Sequence, residues 1–279
     1  MAEILWRSDQ TERGVRERAL WLHVEGRRVP GIVWSRSREE PLTPRPAEAG
    51  ARAPRDASGP PALVLLGHGG GGHKRQEYGL ALARRLARQY GVATLAIDGP
   101  VHGERRPPDV PVEDVDTTRR RYARPEVADS MVTDWRAALA AVQAEPDLAT
   151  ARLGYLGLSM GTLFGVPLLA AEPRISVAVL GLMGIREDGG RIAARLAEDA
   201  PNVRCRLLFL QQRADELFPL AASRALFDGF GSADKHLLTH DGPHGAVPPD
   251  AFVRALRFLA RGLGAAADTG QPEPARRGT

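Results

Sequence analysis

Cysteine is nearly absent. Cys205 is the only one in 279 residues, which excludes an intramolecular disulfide and any cysteine-rich metal site. It lies in an apolar run, where a small buried hydrophobe is expected rather than a nucleophile. Lysine is almost as scarce, since all but Lys74 and Lys235 of the 38 basic residues are arginine. Against 34 acidic residues the net charge is +4. The stretch richest in arginine, 101–124, interleaves six of them with Glu104, Asp109, Glu113, Asp114 and Asp116, a net +1. A nucleic-acid-binding face clusters cations with few compensating acids, so nucleic acid is not expected as a partner. No apolar run approaches the ~18 residues of a membrane span, and the charged segment 1–18 lacks the apolar stretch of a signal peptide. A soluble cytoplasmic protein is expected. No internal repeat and no H-E-x-x-H motif occur.

Apolar residues at 43% and charged residues at 26% are ordinary for a globular chain and supply enough apolar surface for a substantial core. Residues 16–36 read as a β-hairpin, with apolar pieces on either side of Glu25-Gly26-Arg27-Arg28. Six prolines between 41 and 61 mark an extended loop. Short apolar runs then recur at 62–67, 92–97, 152–158, 176–182, 203–210 and 235–239. They are too short for helices and too continuous for half-exposed strands, as expected of a sheet covered on both faces. Between them, Tyr78, Leu82, Leu86 and Tyr90 recur every four residues, as do Val127, Met131, Trp135 and Leu139 behind Pro125. Further helices are expected near 160–171, 219–230 and 249–262, with a helical stretch around 186–199. Strands alternating with helices imply right-handed parallel crossovers, hence an α/β fold with a mostly parallel, doubly wound sheet and an N-terminal antiparallel hairpin. One domain over 1–263 is expected, with a long loop or partial lid at 99–124 and a disordered tail at 264–279.

Gly157-Leu158-Ser159-Met160-Gly161 follows a strand and opens a helix, the context of a nucleophile elbow. A sharp strand-to-helix turn projects the Ser159 hydroxyl, and glycines two residues to either side allow close backbone packing. The bland alternative is a Gly-rich βα turn. A serine hydroxyl is a weak nucleophile that needs a base held by a third group. The loop after strand 203–210 offers Asp215 as the acid, with Glu216 as close competitor and Asp188, after the preceding strand, as a weaker one. The loop after 235–239, His240-Asp241-Gly242-Pro243-His244-Gly245, offers His244 as base, while His240, nearer the strand end, is read as structural. The glycine run 67–72 is placed to supply an oxyanion donor, Gly70 in preference to Gly71, with the Met160 amide as the second. These assignments describe a serine hydrolase without metal or cofactor.

The same run spells G-x-G-x-x-G at Gly67, Gly69 and Gly72, and Asp98 ends the next strand where a dinucleotide-binding fold would hold a ribose. An NAD(P)-dependent oxidoreductase is therefore the rival reading, although it leaves Ser159, Asp215 and His244 as unrelated coincidences. His68, His73, Asp98 and His102 show no recognised metal-ligand spacing, and His68 and His102 are expected to hydrogen-bond locally beneath the site. Segments 67–74 and 98–103, the Ser159 pentapeptide, the Asp215 loop and Gly242-Pro243-His244-Gly245 together resemble an α/β-hydrolase of the dienelactone hydrolase-like and acetyl xylan esterase-like branch. The resemblance covers about 60–262 and implies a serine carboxylesterase without a cofactor, acting on a small-molecule ester. Dienelactone hydrolases proper use cysteine as nucleophile. Here that position is Ser159, which favours an ordinary carboxylic ester. Peptidases and thioesterases also belong to the group, and a catalytically idle binding module on this fold is the remaining alternative.

Overall fold

The computed structural model describes residues 3–37 and 61–265. The Pro-rich segment 41–61 and the tail 264–279 thus lie almost wholly outside the described residues. The described strands β1 (Ile4–Glu12), β2 (Val15–Val24), β3 (Arg27–Arg36), β4 (Leu63–Gly67), β5 (Ala93–Ile97), β6 (Leu153–Gly157), β7 (Ile175–Gly181), β8 (Arg206–Gln212) and β9 (Lys235–His240) form one sheet in the order β1-β2-β3-β5-β4-β6-β7-β8-β9. From β5 through β9 all neighbours are parallel, while β1, β2 and β3 are antiparallel and join the sheet antiparallel to β5.

The expected hairpin is β2-β3, closed by Glu25 and Gly26 at φ 48° and 77°. Two consecutive left-handed residues match the right-handed twist of the flanking strands. β1 extends the hairpin to a three-stranded unit. The sequence reading missed it because only Ile4, Leu5 and Trp6 are apolar in a strand that is otherwise polar and mostly exposed.

The described α-helices are α1 (Glu77–Arg85), α2 (Val115–Tyr122), α3 (Pro125–Gln143), α4 (Met160–Ala171), α5 (Gly190–Asp199), α6 (Leu220–Gly229) and α7 (Pro249–Gly262). One wider, π-type turn carries α1 on through Leu86–Tyr90 to a left-handed Gly91. Side chains alternate across each central strand. Leu63 and Leu65 of β4 join the core under α3, α4, α5 and α6, whereas Val64 and Leu66 join the core under α1 and α7. The two covered faces explain the unbroken apolar runs. α2 lies inside the expected loop 99–124; it has no apolar stripe to betray it, burying only Thr118 and starting where Asp114 accepts the Thr117 amide at 2.9 Å. Among the described residues no helix is long and apolar enough to cross a membrane.

Strand register decides where the loops leave the sheet. Gly67 at the end of β4 pairs directly with Gly157 at the end of β6, and Gln212 of β8 pairs with His240 of β9. The loops after these four strands therefore emerge at one edge, where ligands bind in open α/β sheets.

Candidate active site

Between Gly157 and the first residue of α4 only two residues reverse the chain, and Ser159 takes the strain with φ 57° and ψ −118°. A non-glycine residue in this region costs roughly 1–3 kcal/mol and persists only where its surroundings impose it. Here the Ser159 amide donates to the Gly181 carbonyl at 2.9 Å, and the Ser159 carbonyl accepts the amides of Thr162 and Leu163 at 2.8 and 3.0 Å. The Thr162 hydroxyl lies 2.9 Å from the Gly157 carbonyl and 2.7 Å from the Gly181 carbonyl, and accepts the Gly181 amide at 2.8 Å. A Cβ on Gly157 would sit 2.7 Å from the Gly161 oxygen, and one on Gly161 would sit 2.9 Å from the Gly67 oxygen. Both glycines are thus demanded by close backbone approach, and the second one packs the elbow against the glycine-rich loop.

The structure brings Ser159, His244 and Asp215 together although 85 and 29 residues separate the pairs. His244 Nε2 lies 2.9 Å from Ser159 Oγ, and His244 Nδ1 lies 2.9 Å from Asp215 Oδ2. A carboxylate only accepts, so Nδ1 carries the proton and Nε2 offers its lone pair to the serine hydroxyl. Asp215 is held in turn: its Oδ1 accepts the amides of Leu217 and Phe218 at 2.8 and 2.9 Å. The Phe218 ring lies 5.9 Å from the imidazole.

Of the competing candidates, Glu216 accepts the His244 main-chain amide at 2.8 Å, which lowers its pKa, while the imidazole Nδ1 is held by Asp215. Asp188 is exposed and paired with Arg186. The His240 Nε2 is buried and has no hydrogen-bond partner among the described residues. Burial pushes the Cys205 thiol up to about 12, far from a reactive thiolate.

In the glycine loop the Gly71 amide donates to His102 Nε2 at 3.2 Å and the Gly72 amide to the Gly69 carbonyl at 3.1 Å. Asp98 is fully buried; its carboxylate accepts the Lys74 amide at 2.9 Å, Lys74 Nζ at 2.7 Å and the Glu104 amide at 3.0 Å. Those donors close it off from any ribose. His73 Nδ1 accepts the Arg75 amide at 3.1 Å, and no group of three or more ligating side chains among the described residues could hold a metal ion. Sequence reasoning missed Glu216 as a main-chain anchor and Thr162 as the brace of the elbow. Neither role has a spacing signature, because each is an interaction with backbone that only the folded loops supply.

Among solved structures, a cold-adapted esterase from an Arctic intertidal metagenomic library is similar to this chain at 35% identity, with a TM-score of 0.76, covering 92% of this chain and 98% of that one. An acetyl xylan esterase from Paenibacillus sp. R4 superposes with a TM-score of 0.66 at 14% identity, covering 93% and 88%. A dienelactone hydrolase from Anabaena variabilis does so with 0.59 at 18% identity, covering 89% and 97%. The last two show likeness of fold alone. No family model matches the chain, and no curated protein does.

Proposed function

The chain belongs to the esterases of the α/β-hydrolase superfamily, and from that premise we propose that it is a serine carboxylesterase of the dienelactone hydrolase-like and acetyl xylan esterase-like branch, cleaving small carboxylic esters through an acyl-enzyme on Ser159. The observation that carries the reading is the continuous relay from Ser159 through His244 to Asp215, with both links at 2.9 Å. Ser159 Oγ attacks the ester carbonyl as its proton passes to His244 Nε2, and Asp215 steadies the imidazolium that forms. The carbonyl oxygen becomes an oxyanion, held by two main-chain amides.

Accounting for donors supports Met160 and Gly70 as those amides. In the first turn of α4 the Gly161 amide is taken by the Leu158 carbonyl and the Thr162 amide by that of Ser159. The Met160 amide, first in the helix, has no intrahelical acceptor. In the glycine loop the amides of Gly71 and Gly72 are engaged within the protein, which favours Gly70 over Gly71. Collapse of the tetrahedral intermediate expels the alcohol, which takes the proton from Nε2. Water, deprotonated by the same nitrogen, then releases the carboxylic acid and restores Ser159.

The test is labelling with a fluorophosphonate probe beside hydrolysis of p-nitrophenyl acetate. The wild type is expected to be labelled once per chain and to turn over. Ser159→Ala should take no label and lose on the order of 10³-fold or more in kcat, with an unchanged melting temperature. A cleanly folded Ser159→Ala protein that kept most of the activity would reject the assignment.

A further inference from the structure

Two buried histidines outside the relay make the same pair of hydrogen bonds in opposite directions. His68 lies in the loop after β4 and His102 in the loop after β5. His68 Nε2 receives the Gly99 amide of the other loop at 2.8 Å, and its Nδ1 lies 2.9 Å from the carbonyl of Gly69 in its own. His102 Nε2 receives the Gly71 amide of the other loop at 3.2 Å, and its Nδ1 lies 2.8 Å from the carbonyl of Pro100 in its own. The rings lie 5.2 Å apart, with exposures of 4% and 0%. An amide N–H only donates, so each Nε2 is a lone pair and each Nδ1 carries the proton it gives to its carbonyl. Burial disfavours the charged form of both rings, taking the His68 pKa down to about 4 and lowering that of His102. Both rings are therefore neutral and of fixed tautomer.

The Gly69 carbonyl and the Gly70 amide belong to one planar peptide unit and point in opposite directions. His68, by holding that carbonyl, turns the Gly70 N–H away from itself. His102, by holding the Gly71 amide, fixes the next peptide unit. The two planes that define the backbone of Gly70 are thus clamped from both sides, at a residue without a Cβ to restrict it.

We propose that His68 and His102 form a reciprocal brace that sets the direction of the Gly70 amide, and are positioning residues of the oxyanion site. The inference rests on the serine esterase reading. Asp98 reinforces it by tying the Lys74 amide of one loop to the Glu104 amide of the other. A loosened Gly70 amide weakens stabilisation of charge that appears only in the transition state, so kcat falls while KM holds.

The experiment compares wild type, His102→Ala and His102→Gln with p-nitrophenyl acetate, alongside fluorophosphonate labelling. His102→Ala should lose about 10²-fold in kcat with KM nearly unchanged. His102→Gln, whose amide oxygen can take the Gly71 N–H, should recover much of that loss, which a merely structural role would not predict once melting temperatures match. In case the variants do not fold, ¹⁵N-resolved spectra of the wild-type imidazoles provide an independent check, with both histidines expected neutral and protonated on Nδ1 at pH 7. A folded His102→Ala protein with wild-type kcat, or an Nε2-protonated ring at either position, would overturn the brace alone. A wild type that neither labels nor hydrolyses esters would overturn the esterase reading and the brace with it.

Discussion

Replacing Asp215 by asparagine is the sharpest perturbation of the relay, because the surroundings dictate which way the new amide must face. Oδ1 of Asp215 accepts two main-chain amides, those of Leu217 and Phe218 at 2.8 and 2.9 Å. An NH₂ group there would confront two donors, so the asparagine oxygen is compelled to occupy that side. Its NH₂ then takes the place of Oδ2, 2.9 Å from His244 Nδ1. A donor at that position selects the imidazole tautomer with the proton on Nε2, which aims N–H at Ser159 and leaves no lone pair to accept its proton. The turn stays satisfied, so stability should change by less than about 1 kcal/mol, while kcat should fall on the order of 10³–10⁴-fold. That factor corresponds to about 4–5.5 kcal/mol of lost transition-state stabilisation. The assay is kcat/KM with p-nitrophenyl acetate, a melting curve and the ¹⁵N pattern of His244. A folded Asp215→Asn enzyme within about tenfold of wild type, with His244 still protonated on Nδ1, would strip Asp215 of its role as the orienting acid.

Glu216→Gln keeps an oxygen able to accept the His244 amide and should cost less than about tenfold in kcat, whereas Glu216→Ala, which frees the His244 main chain, should cost more; steady-state kinetics of the pair decides this, and a relay-sized loss in the glutamine variant would move the acid from Asp215 to Glu216. Acidification should destabilise the fold through His68 and His102. Their folded-state pKa values lie below the unfolded value, so the unfolded chain binds more protons and stability rises with pH. The contribution is complete above pH 6.5 and is lost as pH falls toward about 4 for His68, with a slope of at most about 1.4 kcal/mol per pH unit for each ring. Urea titrations at several pH values should show a shallower dependence in His102→Gln than in wild type, and an equal dependence would argue that the brace does not titrate between those limits.

Much of the fold was legible because the central strands are buried on both faces. Runs such as Leu63–Gly67 and Arg206–Gln212 carry no polar interruption at the centre, and helices with a buried stripe, such as α3 with Met131, Trp135 and Leu139, advertise their period. What failed to show lacks such a stripe. β1 is mostly exposed, and α2 buries one threonine. The spatial meeting of Ser159, Asp215 and His244 was legible for a different reason. Each stands in a loop after a strand, and parallel strands in a doubly wound sheet deliver such loops to one edge.

The glycine run 67–72 shows why a motif is weaker evidence than the destination of its hydrogen bonds. As letters it satisfies a dinucleotide fingerprint as well as it does an oxyanion loop. In a phosphate-binding turn the amides would face outward to an anion and the helix would open on the last glycine. Here α1 starts only at Glu77, the Gly71 amide is spent on His102, and the Gly72 amide is spent on Gly69. Nor is Asp98 available to a ribose, since it is fully buried and holds Lys74 Nζ and the amides of Lys74 and Glu104. Gly67 stands level with Gly157, and Gly161 packs against the Gly67 carbonyl, so the loop is built against the Ser159 elbow. Gly67, the first glycine of the fingerprint, serves instead to let the end of β4 approach the elbow that follows β6.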